Sequence, residues 1–174
     1  MNRHALVVLQ FPEALDLVAR FASSPLGAAA VRALEPSDAA TWIEEELRRV
    51  DQMVGFLLGS IEWVIPAIPD VHRSLRRLGI EGSVLEGGEL AALRVLLHSA
   101  RTTRGAILPY SADFPLLAAI AERLLAQERE EERIARAIDE AGAVRDDASR
   151  ELARLRREIR AARSRIVERL EQYV

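Results

Sequence analysis

The sequence predicts an all-α fold, and three observations support this prediction. Apolar residues recur every three or four positions through most of the 174 residues, which is the period of an amphipathic helix. Prolines and glycines stand mainly at the ends of these periodic stretches, where helices start and stop. Hydrophobic residues make up 49% of the chain, enough for one core at this length. We therefore expect a helical core of about six or seven helices and a long, protruding terminal helix.

Start and stop signals place each helix in turn. Ser24, Ser37 and Asp70 are predicted N-caps, because their side chains can accept a hydrogen bond from a first-turn N–H group. The region 60–69 combines apolar residues with two prolines and is predicted to be a buried extended loop. The predicted helices are 11–22, 25–34, 37–58, 70–78, 89–108, 115–126, 129–140 and 149–174.

The last predicted helix carries a coiled-coil seam. Leucine, isoleucine and alanine follow 3-4-3-4 spacing at Leu152, Leu155, Ile159, Ala162 and Ile166. The seam is then irregular, because Arg169 takes the next seam position and Leu170 follows one residue late. This pattern divides the chain into a helical core domain (1–144) and a charged helical arm (145–174).

Composition excludes several kinds of chemistry. The chain has no cysteine, which excludes disulfides, thiolate zinc sites and cysteine nucleophiles. All 24 basic residues are arginine, and a standard phosphate loop needs a lysine. His4, His72 and His98 lie far apart in the sequence, so no metal site, cofactor site or catalytic residue is predicted. The segment 86–89 is interpreted as a turn and the acidic run 128–132 as a solvated helix face.

Targeting signals are also missing from the sequence pattern. Residues 1–4 lack the layout of a signal peptide, and no run of apolar residues is long enough to cross a membrane. The predicted localisation is cytoplasmic, without a membrane partner.

Charge is unevenly distributed along the chain. The net charge is −3, yet residues 145–174 hold nine arginines and six acids and are locally +3. A helical wheel puts Arg150, Arg154 and Arg157 opposite the seam, with Arg160 beside it. These four arginines are the candidate nucleic-acid contacts, because guanidinium groups suit phosphates. The alternative interpretation is an ordinary coiled-coil surface with pairs such as Arg154 with Glu158.

Three stretches resemble the MutS superfamily, specifically the N-terminal region of its MutS type 2 branch. The first runs from Leu9 to Pro36 and the second from Ile68 to Leu90. The third, which precedes the arginine-rich helix, is the most specific. Its family-motif positions are Ile138, Asp139, Gly142, Val144, Asp146, Ala148 and Ser149.

The resemblance implies a helical core that leads into a lever helix with a distal DNA clamp. The implied full-length protein is an ATPase that uses ATP and Mg²⁺, often an endonuclease, and a homodimer. It binds branched or mismatched DNA and recombination intermediates, suppresses recombination, and is nucleoid-associated; action on ribosomes is also ascribed to this branch. Residue 174 is expected to fall within the lever, before the clamp, ATPase and nuclease regions, so this chain itself is not expected to be an enzyme.

Two other function classes fit the same residues. One is an all-α structural or oligomerisation module that makes no DNA contact of its own. The other is a ribosome-binding segment that uses the same arginine face. In the first case the seam is expected to pair with another copy through Leu152, Leu155, Ile159, Ile166 and Leu170.

Overall fold

Helices account for most of the chain in the computed structural model, which describes residues 3–59 and 62–171. Within these residues the elements in chain order are α1 (Arg3–Val8), α2 (Phe11–Ala19), α3 (Pro25–Arg32), α4 (Ala40–Leu58), α5 (His72–Leu78), α6 (Gly87–Ile107), a 3₁₀ turn (Leu108–Tyr110), α7 (Pro115–Glu122), α8 (Glu128–Ala137) and α9 (Arg150–Glu171). The described part contains no strand, only an isolated bridge between Ile138 and Val144. The all-α prediction is confirmed.

The first three helices pack on one another in sequence order. Gln10 turns the chain between α1 and α2 through a left-handed backbone conformation, with φ of 54°. The Ser24 side chain accepts a hydrogen bond from the Gly27 N–H at 3.0 Å, which confirms Ser24 as the N-cap of α3. An ion pair between Arg32 and Asp16 joins α3 to α2.

One core cluster joins α4, α6 and α7. Phe56 is fully buried on α4 and meets Trp63, Tyr110 and Phe114 edge-to-face, with ring centroids 5.5 to 6.2 Å apart. Gln52 of α4 fixes the start of α7, because its side-chain oxygen accepts hydrogen bonds from the N–H groups of the first α7 turn. The buried members of this cluster are Phe56, Ile107, Leu117 and Ala121.

A second core cluster joins the segments that flank α5 to α6 and α8. Val71, Leu85 and Leu93 are buried together, and Ile134 of α8 packs against them. α5 begins at His72 with Val71 at its N-cap, so the prediction of Asp70 as the cap is wrong by one residue: its carboxylate accepts from the His72 N–H at 3.0 Å in a local turn just before the helix. The two clusters share α6, which makes this helix the central element of the described core.

Several predicted boundaries are wrong by a few residues, and α1 was not predicted at all. α4 begins at Ala40 rather than 37, because the Ser37 hydroxyl accepts from the Ala39 N–H in a local turn and does not cap the helix. α7 and α8 end at Glu122 and Ala137, before the predicted 126 and 140. The predicted last three residues of the terminal helix, 172–174, lie outside the described residues.

The loop and the two acidic motifs also need correction. Residues 60 and 61 of the predicted buried loop lie outside the described residues, and Val64 within it is strongly exposed. The segment 86–89 opens α6 as a capping box, in which Glu86 and Glu89 each bond the other's backbone N–H. Glu131 does not belong to a solvated face: its side chain is only 14% exposed and joins α8 to α6.

Candidate nucleic-acid interface

A tight turn precedes α9 and positions its first residue. The bridge between Ile138 and Val144 brings the two sides of the turn together. The Asp139 N–H donates to the Ala143 oxygen at 2.9 Å, and the Ala143 N–H donates to Asp139 Oδ1 at 2.8 Å. Gly142 has φ of +81°, a left-handed conformation that glycine adopts without strain. Four motif residues, Ile138, Asp139, Gly142 and Val144, therefore build this turn.

The turn packs against the N-terminal end of α6. A Cβ placed on Gly87 would lie 1.9 Å from the Gly142 carbonyl oxygen, which is less than any real contact. A Cβ placed on Gly142 would lie 2.7 Å from backbone atoms of Gly88. Because all three positions are glycine, the two backbones approach closely. This contact fixes the turn against the core.

The remaining motif residues hold the base of α9. Ser149 caps the helix, since its hydroxyl accepts from the Leu152 N–H at 3.0 Å. Asp146 accepts hydrogen bonds from Arg156 and from Arg160, the latter at 2.7 Å. Arg156 also donates to the Val144 carbonyl oxygen at 3.0 Å.

These hydrogen bonds lower the pKa of Asp146 below its ordinary value, with the bond from Arg160 the largest cause and that from Arg156 next. Asp146 therefore stays ionised at neutral pH. Ala148 completes the connection as a half-buried residue, and its N–H donates to the Arg145 oxygen at 3.2 Å.

The four candidate arginines fall into two groups. Arg154 forms ion pairs with Glu151 at 2.6 Å and with Glu158 at 2.7 Å, and Arg160 is held by Asp146. Arg150 and Arg157 are exposed and have no ionic partner among the described side chains. Of the four candidates, these two present guanidinium groups that no described acid neutralises.

Three further arginines of α9 share that property. Arg163, Arg165 and Arg169 are exposed, and none has an ionic partner in the described part of the chain. The sequence signal was present, because acids become scarce between Glu158 and Glu168. The helical wheel favours arginines opposite the seam, and Arg163, Arg165 and Arg169 lie nearer to its edges.

The seam of α9 is mostly open to solvent. Leu152 and Ala162 are half-buried, whereas the four larger seam residues beyond Leu152 are exposed by 41% to 62%. The exposed members are Leu155, Ile159, Ile166 and Leu170. No helix of the described residues packs closely along α9. The predicted pairing of this seam stays a prediction.

The residues present do not fit a site for ATP and Mg²⁺. The chain has no lysine for a phosphate loop, and the described residues gather no group of three or more histidine, aspartate or glutamate side chains that could hold a metal ion. His72 contacts Asp70, and His98 contacts Glu131, each as a separate pair. Among the described helices none is both long and apolar enough to cross a membrane.

Comparison with known proteins gives matches over the whole chain. No family model matches the sequence. Proteins named endonuclease MutS2 are 41% identical in Gemmatimonas aurantiaca over 99% of this chain, 33% in Thermus thermophilus over 97%, and 30% in Listeria innocua over 100%. The chain spans about a fifth of the length of these curated relatives, 21% to 22% of each.

Proposed function

By sequence the chain belongs to the MutS2 family, and from this premise we propose that it is the core and lever segment of a DNA-processing protein. In this proposal α9 contacts the phosphate backbone of branched or mismatched DNA. The helical core holds α9 in position and couples it to the rest of the protein. The identity to proteins named as endonucleases supports the DNA-related role.

The observation that carries the proposal is the set of unpaired arginines on α9. The described acids of this helix are few beyond Glu158, and five exposed arginines lack an ionic partner among the described side chains: Arg150, Arg157, Arg163, Arg165 and Arg169. A guanidinium group binds a phosphate through two parallel hydrogen bonds. Arg154 and Arg160 are already paired with acids, and those ion pairs would have to break before either arginine could bind a phosphate. These two arginines therefore contribute less to nucleic-acid binding than Arg150 and Arg157.

The contact we propose positions nucleic acid without reading its sequence. Residues 150–171 contain no aromatic side chain on which a base could stack. Phosphate contacts fix register and orientation but carry no direct base information. Preference for a branched structure would therefore come from the path of its backbones.

Rigidity at the base of α9 suits a lever. The Asp146 ion pairs and the Ser149 cap fix the helix to the segment just before it, and the glycine contact fixes the preceding turn to α6. A movement of α6 would be carried along α9 over about 30 Å, given 1.5 Å per residue. We propose that this segment has no catalytic centre. ATP hydrolysis with Mg²⁺ and DNA cleavage would then belong to other parts of the whole protein.

Fluorescence anisotropy tests the nucleic-acid contact. A labelled four-way junction and a matched linear duplex are titrated with the chain at two salt concentrations. We expect salt-sensitive binding that Arg150→Glu with Arg157→Glu weakens about tenfold or more, because each reversal replaces an attraction to phosphate with a repulsion. The matched control, Arg76→Glu with Arg123→Glu, reverses two exposed arginines outside α9 and should leave binding near wild type.

Absence of binding at low salt, or equal losses in both double variants, would contradict the proposal. A duplex of ribosomal RNA serves as a third ligand. Tighter binding to this RNA than to either DNA would favour the ribosomal alternative.

The second candidate function is an oligomerisation module. The exposed apolar seam favours it, since solvated apolar area on one helix is normally covered by a partner. Sedimentation velocity over a range of concentrations tests it directly. A mass that rises with concentration supports self-association, and a monomer at every concentration contradicts it.

A further inference from the structure

The first turn of α6 contains two adjacent glycines, Gly87 and Gly88. A side chain at position 87 would collide with the carbonyl oxygen of Gly142, because a Cβ there would lie 1.9 Å from it. Glycine weakens a helix, since it loses more backbone freedom on folding than any other residue. The close packing of the turn before α9 thus needs a residue that favours fraying at this end of α6.

Glu89, the third residue of α6, holds this turn in a helical conformation. Its Oε2 atom accepts a hydrogen bond from the Glu86 N–H at 2.9 Å, and the Glu86 side chain accepts from the Glu89 N–H. This capping box closes around the two glycines and satisfies backbone groups that the start of a helix leaves unpaired. The weak first turn therefore lies between two residues that bond each other.

Glu89 also joins α6 to α5. The Ser74 hydroxyl donates to Glu89 Oε1 at 3.2 Å, and Arg77 donates to Glu89 Oε2 at 2.8 Å. Arg77 donates as well to the Val84 carbonyl oxygen at 2.6 Å, in the loop that enters α6. Among the described helices none packs closely along α5. These charge-assisted bonds, with the buried Ser74, thus connect α5 itself to the start of α6.

We propose that Glu89 is a positioning residue for α9 and that it couples α5 to α9 across the start of α6. It acts through the capping box, which keeps Gly87 in place beneath the Gly142 turn, and through Arg77, which ties that box to α5. A displacement of α5 then changes the packing of the turn and hence the direction of α9. This inference deepens the proposed function and rests on its treatment of α9 as a lever.

The effect of Glu89 on α9 is indirect. Its hydrogen bonds go to Ser74, Arg77 and Glu86, and within the described part of the chain none goes to α9. α9 has 22 residues, which is about 33 Å at 1.5 Å per residue. A tilt of about 10° at its base therefore displaces its far end by about 6 Å. A small change in the first turn of α6 is measurable at that distance.

Double electron–electron resonance on the chain without nucleic acid tests the role of Glu89. Spin labels at Thr103→Cys on α6 and Ser164→Cys on α9 report the distance between the two helices. We expect Glu89→Ala to widen the distance distribution about twofold or more, because the glycine turn loses its cap. Arg77→Gln removes the bond to α5 and leaves the capping box, so it should widen the distribution to a smaller extent. Arg77→Gln also carries the test if the Glu89→Ala chain does not fold.

Two variants serve as matched controls. Glu130 is the third residue of α8, as Glu89 is of α6, but it is exposed and has no ionic partner among the described side chains. Ser24→Ala removes the cap of α3, far from α9 in the sequence. Glu130→Ala and Ser24→Ala should both leave the distance distribution as narrow as in wild type.

Amide hydrogen exchange locates the change within α6. The Leu90 N–H donates to the Glu86 oxygen at 3.0 Å and closes the first turn around the two glycines. We expect its exchange to accelerate about tenfold or more in the Glu89→Ala variant, because the turn then opens more often. An unchanged exchange rate would overturn the inference, since Glu89 would then not hold this turn.

The distance measurements have three further outcomes that overturn the inference. One is a Glu89→Ala distribution as narrow as that of wild type, and another is equal widening in Ser24→Ala, which would trace the effect to lower stability alone. Widening in Glu89→Ala that Arg77→Gln does not share overturns the coupling to α5. Because no nucleic acid is present, a chain that fails to bind DNA can still show the expected widening, so this inference and the proposed nucleic-acid contact fail separately.

Discussion

At the residue scale, three glycines allow the turn before α9 to pack closely against the core. Gly142 has a left-handed backbone and touches Gly88, and Gly87 touches the Gly142 oxygen. We predict that Gly142→Ala lowers the free energy of unfolding by about 1–3 kcal/mol, because alanine adds both backbone strain and a clash. Chemical denaturation measures this change.

A glycine in the last turn of α6 provides the control for that substitution. A Cβ on Gly105 would meet nothing within 4 Å. Gly105→Ala should therefore stabilise the chain by about 0.5–1 kcal/mol through helix propensity. If Gly142→Ala were neutral or stabilising as well, the close contact between the turn and α6 would be refuted.

Glu131 is the residue that ties α8 to α6. It accepts hydrogen bonds from Arg101 and from His98, and these bonds, that from Arg101 foremost, lower its pKa from 4.5 to about 2. A carboxylate with a lowered folded-state pKa contributes stability that is fully present above its unfolded pKa. This contribution is lost as the pH falls from about 4.5 towards about 2.

The corresponding substitution is Glu131→Gln. We expect it to lower stability at pH 7 by about 1–3 kcal/mol and to flatten the decline of stability between pH 4.5 and 2. Glu132→Gln is the matched control, because Glu132 forms only an exposed pair with Arg136 and should change stability by less than about 0.5 kcal/mol. Identical pH profiles for the two variants would contradict the assigned role of Glu131.

At the element scale, the direction of α9 depends on Asp146. Its ion pairs with Arg156 and Arg160 hold the first three turns of the helix. We predict that Asp146→Asn leaves α9 helical but broadens its range of orientations. The chain has no cysteine, so Thr103→Cys and Ser164→Cys give two unique spin-label sites on α6 and α9. Double electron–electron resonance should show a broader distance distribution in the Asp146→Asn variant.

Asp147→Asn is the control for the orientation of α9. Asp147 is exposed and pairs only with Arg145, at 3.4 Å. Its substitution should leave the distance distribution unchanged. An unchanged distribution in the Asp146→Asn variant would mean that the glycine contact and the Ser149 cap suffice to orient α9.

The elements were predictable to the extent that their signals are local. Ser24 was recognised as a cap because a capping side chain and the backbone N–H that donates to it lie within three residues of each other. The start of α7 was not explained by sequence, since Gln52 supplies its hydrogen bonds from more than 60 residues away. Glu131 was misread for the same reason: Arg101 stands 30 residues earlier.

For the whole molecule, the sequence located the arm but not which of its charges are available. Wheel positions grouped Arg150, Arg154 and Arg157 on one face, and the structure separates them, because Arg154 is neutralised by two glutamates. The close glycine contact that packs the turn before the arm against α6 could not be predicted either, since Gly87 and Gly142 are 55 residues apart. The motif at residues 138–149 was recognised by its resemblance to the family. Its physical role, which is to build and hold the turn before α9, became visible only in the contacts of the structure.

The most direct test of the central claim is the salt dependence of nucleic-acid binding by the 174-residue chain. The logarithm of the association constant for a four-way junction is plotted against the logarithm of salt concentration, for wild type and for Arg150→Gln with Arg157→Gln. Each lost phosphate contact reduces the magnitude of the slope by about 0.9 on duplex DNA. We expect a slope that is shallower by about two in the double variant. An unchanged slope would contradict it, and would mean that the arginines of α9 are solvated surface rather than phosphate contacts.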